Sequence, residues 1–423
     1  MTIDEAAARA GATDAAATGA AAAVEAMAPA GDPGAAGHAQ RMRVAFPAVI
    51  AALTCVHAAM SATRVAGSLW LLREGYPEWT VGALLSLFAL APIGLSLWAG
   101  RLADRHGMHR PLAIGAAMGF GGALLAACTL NVVSLAIAAF LTGGGVSVAA
   151  VAIQHEAGQM ARSTGDLKRV FSWVALGPAV SNAISPVVVG LLIDHIGFRA
   201  AFAFAVLLPL AAWALGRRVP RQHVGASMRA PERRAAFELL RHPPLRRLLL
   251  VNLALSSCWD AHSFAVPVLG HARHLSASAI GAVLGSFSVA ATGVRLAISR
   301  FSHRLDERKA LHAAMTVAAL TSAAYVFLPG VAGMLAGSFV LGLALGSVQP
   351  MVLAMLHQVT PSDRRGQALG LRMFWTNAAS LAMPSGFGLL AAATFPAAPM
   401  WLMASLVALA LVPARGIEAR PVA

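Results

Sequence analysis

Charge is scarce in this chain. Asp, Glu, Lys and Arg make up 12% of its 423 residues, where a soluble enzyme carries about a quarter, so an ordinary water-soluble catalytic domain is excluded. Cysteine is nearly absent too. Cys55, Cys128 and Cys258 lie inside apolar runs with no CxxC or CxxH spacing, which excludes a redox or metal framework and leaves three small hydrophobes. The first 45 residues have no basic start before a Leu-rich stretch, so no cleaved signal peptide is expected. Their Ala-, Gly- and Pro-rich composition predicts a disordered tail over 1–45. No GxxxxGK[ST] string is present, so the chain does not hydrolyse ATP. HExxH, paired carboxylates at one depth and a serine–histidine–aspartate arrangement are missing as well, so we expect neither an enzyme nor a bound cofactor or metal.

What the chain has in abundance is apolar length. Mean hydropathy is +0.69 and 58% of residues are hydrophobic. Windows of about 20 apolar residues, each enough to cross the hydrocarbon of a bilayer, fall at 46–70, 79–99, 112–130, 134–156, 169–193, 198–216, 247–270, 278–299, 311–329, 333–356, 368–391 and 396–414. The expected fold class is therefore all-α and polytopic, with twelve transmembrane helices. Spans 3 and 4 meet so closely, near Leu130 to Val133, that their boundary is the least distinct. A basic segment over 217–246 divides the spans six and six. Part of it, PERRAAFELL, has the spacing of a helix lying on an anionic leaflet and equally that of a solvated linker. The organisation is thus a tail (1–45), a bundle (46–216), a linker (217–246), a second bundle (247–414) and a short tail (415–423).

The net charge of +14 would suit nucleic acid if it lay on one water-exposed face. It does not. With the amino terminus placed in the cytoplasm, 25 Lys and Arg fall in the connections on that side and three, Arg73, Arg199 and Arg273, on the other. This satisfies the positive-inside rule with both termini cytoplasmic in a cell membrane. The basic balance is explained by topology, and no nucleic-acid partner is expected.

The two halves also align. Residues from Thr80 and from Ala279 match without gaps at an offset of 199: Gly82 with Gly281, Phe88 with Phe287, Gly94 with Gly293, Arg101 with Arg300, Arg105 with Arg304. Two related six-helix halves, with a substrate site at their junction, account for this register.

Between spans 2 and 3 stands GRLADRHGMHRP, with Gly100, Asp104, Arg105, Gly107 and Arg110. In this place the string resembles the loop signature of the major facilitator superfamily, and the resemblance extends from about Phe46 to the end of span 12. It implies two pseudo-symmetric bundles, secondary transport of a small solute, and a gating role for Asp104, which in that family helps hold the halves outward-facing. Gly100 and Gly107 would allow close approach and a sharp turn. The second half has His303 where Asp104 stands in the first, so the latch is expected to be asymmetric. Span 5 has Gly177, Pro178, Pro186 and Gly190, an imperfect version of the family's helix-5 pattern, which is associated with proton-linked exporters. Its prolines are expected to bend the helix.

Ionisable groups inside spans are the functional candidates, because lipid tolerates them only against a partner or a cavity. Arg64 lies in span 1; Asp260 and His262 lie at mid-depth in span 7, its equivalent. A pair between Arg64 and Asp260 across the two-fold is expected, with Asp260 the leading proton carrier. Arg64 suits either that carboxylate or an anionic substrate. Glu156, Arg295 and Arg372 form either one cluster near the inner face or independent interfacial positions. His57 and His155 read as packing residues before relays, and Gln154, Asn182 and Asn377 as bonding either solute or a neighbouring helix. Trp173, Trp259 and Trp375 either line the cavity or pack the core, whereas Trp70, Trp79 and Trp401 read as interface anchors.

Exporters of the family often carry an acidic group in helix 1 or an Arg deep in helix 4; Arg64 and the Gln154–His155–Glu156 run depart from both. The expected function is proton-coupled secondary transport by a monomer among membrane lipids, tilted toward efflux of a metabolite or amphipathic compound. Uptake of a small anionic metabolite is the alternative, and a non-transporting receptor or scaffold the third reading.

Overall fold

A computed structural model describes residues 33–160, 164–220, 238–301, 306–360 and 365–417. It contains twelve long helices: α1 (Pro33–Arg73), α2 (Glu78–His106), α3 (His109–Thr129), α4 (Val132–Gln159), α5 (Thr164–His195), α6 (Phe198–Gly216), α7 (Pro243–Ala272), α8 (Ala277–Phe301), α9 (Glu307–Ala324), α10 (Gly330–Val359), α11 (Arg365–Ala393) and α12 (Ala398–Arg415). No strand occurs among the described residues. Ten of the helices are long and apolar enough to span a bilayer. The other two, α7 and α11, carry polar stripes whose purpose emerges below. Exposed side chains such as Leu207, Leu320 and Leu409 would be a liability in water and are the natural lipid-facing surface.

The helix boundaries have local causes. Asn131 resolves the crowded junction of spans 3 and 4 by capping α4: its Oδ1 accepts from Ser134 N–H at 2.8 Å, and Ser134 Oγ accepts from Asn131 N–H at 3.1 Å. This reciprocal pair satisfies two otherwise orphaned donors. Gly107 ends α2 with φ +67°, a conformation costly to any side chain, so the sharp turn expected of it is present. Asp306 caps α9 by accepting from the N–H groups of Arg308 and Lys309 at 3.0 and 3.1 Å.

Two expectations change here. Helix α1 begins at Pro33, well before the predicted span, because the Ala-rich end of the tail favours helix once a long helix is there to propagate. A Cβ at Gly100 would meet nothing within 4 Å, so its small size serves no close approach in this structure. Residues 231–237 of the linker segment PERRAAFELL, His303 and residues 1–32 of the predicted tail lie outside the described residues; the end of that segment forms a short helical turn, Leu239–Arg241, with Leu239 buried in the core.

Each half is a bundle of six. In the first, α1 packs on α4, α5 and α6 while α4 packs on α2 and α3. In the second, α7 packs on α11 and α12 while α10 packs on α8 and α9. The 199-residue register is visible in this packing. Gly143 of α4 seats against the Phe88 carbonyl of α2, and Gly342 of α10 seats against the Phe287 carbonyl of α8. Both pairs of positions differ by that same offset.

The halves meet along two seams, α2 with α11 and α5 with α8. At one end of each seam glycine brings the backbones into contact: Gly82 against the Pro384 carbonyl and Gly281 against the Pro186 carbonyl. At the other end the equivalent pair Gly94 and Gly293 would meet nothing within 4 Å even with a Cβ. The buried core agrees. One apolar cluster crosses between halves near the α1–α2 and α7–α8 turns, while the first half keeps a separate cluster around Phe46, Met108 and Ile153. The halves are therefore closed at the face bearing those turns, the turn face. They are parted at the face where α1 begins and α12 ends, the terminus face.

Candidate functional site

Two helices facing each other across the second half have polar side chains every four residues: Asn252, Ser256 and Asp260 on α7, and Arg372, Thr376 and Ser380 on α11. That spacing puts each trio on one helix face. The faces are joined by hydrogen bonds. Ser380 Oγ donates to Asp260 Oδ2 at 2.9 Å, Asn252 Nδ2 donates to Thr376 Oγ1 at 3.1 Å, and Arg372 Nη1 donates to Asn252 Oδ1 at 3.3 Å. With Trp259, Arg295 and Gln349 they line a cavity of about 340 Å³. Arg295 donates from Nε to the Gly346 carbonyl at 3.2 Å, and its guanidinium lies 5.7 Å from the centre of the Trp259 ring.

Trp259 also lines a second cavity of about 110 Å³, closer to the turn face, bounded by Ser61, Arg64, Ser68, Asn182, His262 and Ser263 among others. His262 is hydrogen-bonded through Nε2 to Ser338 Oγ at 2.8 Å, and Ser338 is in turn bonded to the Tyr325 hydroxyl at 2.6 Å. The imidazole stacks on Phe287 at 4.3 Å. Its Nδ1 is buried with no hydrogen-bond partner. Arg64 makes no hydrogen bond to any described residue; its interaction with Asp260 is an electrostatic one, without an ion pair inside 4 Å.

The structure thus redistributes the sequence candidates. Arg64, Asn182, Trp259, Asp260, His262, Arg295 and Arg372 gather around these cavities. The expected Arg64–Asp260 ion pair is not formed, because the carboxylate is held on its own half by Ser380. Arg295 and Arg372 share one cavity, but Glu156 does not line it. Glu156 is buried in α4 with Oε1 unpartnered. Asn377 is exposed, and Trp375 packs edge-on against Phe374 at 5.7 Å, away from both cavities. Trp70, read as an interface anchor, is buried beside Tyr76 with ring centres 6.0 Å apart.

In the loop motif, Arg105 and Arg110 are exposed, and the side chain of Asp104 lies outside the described residues. In the helix-5 motif, Gly177 seats on Leu53 and Thr54 of α1, while Pro186 and Gly190 form the α5 side of the closed seam. That seam has a polar clasp missing from the sequence reading. Asp194, near the end of α5, accepts from the N–H groups of Ala277 and Ser278 at 3.0 and 2.8 Å. A carboxylate at the start of α8 satisfies donors the helix leaves open and complements its dipole. On the other seam, the Ser86 and Ser385 hydroxyls share a hydrogen bond of 2.8 Å.

Two repeat-related bundles around a polar cavity shut at one face define a polytopic membrane transporter architecture. A family model described as the Major Facilitator Superfamily matches residues 49–384 and 274–421. The chain is similar to the class G tetracycline resistance protein of Vibrio anguillarum, 29% identical over 363 residues that cover 78% of this chain and 86% of that protein. Its fold is similar to that of a POT family transporter solved with a thioalcohol-conjugated peptide, with TM-score 0.72 at 11% identity, covering 87% of this chain and 94% of that one. It is also similar to the nucleoside transporter NupG, with TM-score 0.69 at 14% identity, covering 88% and 98%. The chain belongs to the major facilitator superfamily and is a transporter, not an enzyme.

Proposed function

We propose that this protein moves a small organic solute through the cell membrane by alternating access, coupled to protons through Asp260. The terminus face is cytoplasmic. The observation that carries the reading is that Asp260 is the one acidic side chain lining either cavity among the described residues. A carboxylate at that depth persists only where it has a partner or a task. Ser380 supplies one hydrogen bond, and the guanidinium of Arg64 reaches it only through space, so gain and loss of a proton change the balance of charge across the junction of the halves. The excess of Lys and Arg in the connections supports the orientation.

Direction follows the gradients of solute and proton. The relative named for tetracycline resistance supports outward movement, since a membrane transporter protects against a compound by removing it. The three cavity arginines favour the second reading, transport of a small anion, which in the inward direction would be uptake. The test is purified protein in proteoliposomes containing a pH-sensitive dye, challenged with panels of organic anions, cations and neutral solutes. Solute-dependent proton movement in the wild type, abolished in Asp260→Asn, is expected. Solute flux with unchanged proton movement in Asp260→Asn would refute the coupling role.

A further inference from the structure

The cavity is not electrically balanced. Asp260 is faced by Arg295 from α8, Arg372 from α11 and, at longer range, Arg64 from α1, with His262 two residues along its own helix. The α10 residues lining the cavity, Leu345, Val348 and Gln349, do not titrate. Arg372 donates from Nη1 to Asn252 while its Nε is buried without a partner, and Arg295 donates from Nε to the Gly346 carbonyl with its guanidinium against the Trp259 face. Arg64 makes no hydrogen bond to any described residue, yet it lines a small pocket with hydroxyl and amide groups, beside an imidazole nitrogen that is buried and unpartnered. A guanidinium presents a planar fork of donors matched to an oxyanion, and leaving one unpaired at this depth is costly unless a ligand completes it.

The geometry points to this pocket as a subsite for an oxyanion, a carboxylate foremost, carried on a small organic body that rests against Trp259, and to a proton on Asp260 as its companion. This rests on the proposed transport function and specifies its substrate class. The linkage follows from charge. An ionised Asp260 attracts Arg64 and repels an incoming anion across the same seam; a protonated Asp260 does neither. Anion and proton therefore strengthen each other's binding, and by reciprocity each raises the affinity for the other by the same factor. The protein would carry the two together, outward with an anion accumulated inside or inward with the proton gradient, and would not exchange one for the other.

The test uses the purified full-length protein in neutral detergent, with chloride holding ionic strength constant. Thermal stabilisation is measured with a graded series of monocarboxylates from formate to benzoate, and with benzamide and benzylamine as uncharged and cationic counterparts of benzoate. Proton uptake on binding is followed with a pH dye in weak buffer. Stabilisation by carboxylates alone, with proton uptake, is expected. Arg64→Gln should weaken the binding on the order of tenfold or more, and Arg64→Lys should retain part of it, which separates loss of the site from loss of the fold. Asp260→Asn should bind the carboxylate without proton uptake. No stabilisation by any carboxylate, equal stabilisation by benzamide, unchanged binding in Arg64→Gln, or proton release on binding would each overturn the inference. Failure of the subsite would leave proton-coupled flux of a neutral or cationic solute intact in vesicles. Failure of the coupling would instead leave carboxylate binding at Arg64 with no proton movement.

Discussion

Asp260 takes its hydrogen bond from Ser380, at 2.9 Å on its own half, and forms no ion pair with Arg64 on the other. A bond of this kind stabilises the half without tying it to its partner. An Arg64–Asp260 ion pair would instead resist the separation that alternating access requires. The arrangement leaves the junction held by removable contacts at one face and by a shared field in the middle.

Removing the Ser380 hydroxyl should therefore be felt. Ser380→Ala leaves a buried carboxylate short of a donor, a loss of about 1–3 kcal/mol, seen as a lower thermal midpoint and impaired transport. Asn377→Ala, on the same helix but exposed, should change stability by less than about 0.5 kcal/mol. Equal effects of the two would contradict the assignment of the polar stripe.

The seam glycines give a sharper contrast, because two glycines on one helix, α8, differ in what they touch. Gly281→Ala drives a methyl group into the Pro186 carbonyl and should destabilise the closed turn face by about 1–3 kcal/mol, raising the labelling rate of cysteines placed behind it. Gly293→Ala meets nothing, and it should be neutral or stabilising by up to about 1 kcal/mol through helix propensity. Similar labelling in both variants would refute the glycine-seam account.

Asp194→Ala removes the carboxylate that caps α8 across the halves. Loss of a cap of this kind is worth about 1 kcal/mol, enough to shift a two-state balance roughly fivefold toward opening of the turn face. Fluorescence transfer between labels on α5 and α8 would report the shift, and an unchanged distance distribution would show that the cap is incidental.

Ser338 holds two buried groups at once, His262 and Tyr325. Ser338→Ala should cost about 1–3 kcal/mol by leaving the His262 nitrogen and weakening the Tyr325 contact. Tyr325→Phe, which leaves His262 bonded to Ser338, should cost less, and the order of the two thermal midpoints is the check.

Twelve spans, the six-and-six division and the 199-residue register were legible in the sequence because hydropathy and glycine placement are local signals. The repeat proved sharper than expected, since Gly143 and Gly342 use it to reach equivalent carbonyls. Rare groups were equally legible: Arg64, Asp260, Arg295 and Arg372 are conspicuous in apolar text. Ser380, Thr376 and Asn252 were not. Ser and Thr in membrane helices commonly bond a carbonyl one turn back, as Thr54, Thr63 and Thr142 do here, and nothing local distinguishes those from Ser380, whose partner lies 120 positions away. The available clue was the four-residue spacing from Arg372 through Thr376 to Ser380. Asp194 was overlooked for a related reason: at the end of a span it reads as an ordinary boundary charge, until α8 is seen to start against it.

The most direct test of the central claim, that alternating access is coupled to protons through Asp260, is the distance between spin labels across each face. One pair, at Ile196 and His274, reports the turn face; the other, at Arg101 and Gly370, reports the terminus face. Measured on both sides of neutral pH, the two distances should change in opposite senses in the wild type and stay fixed in Asp260→Asn. Distances that ignore pH in the wild type, that move together, or that respond as fully in Asp260→Asn would contradict the account.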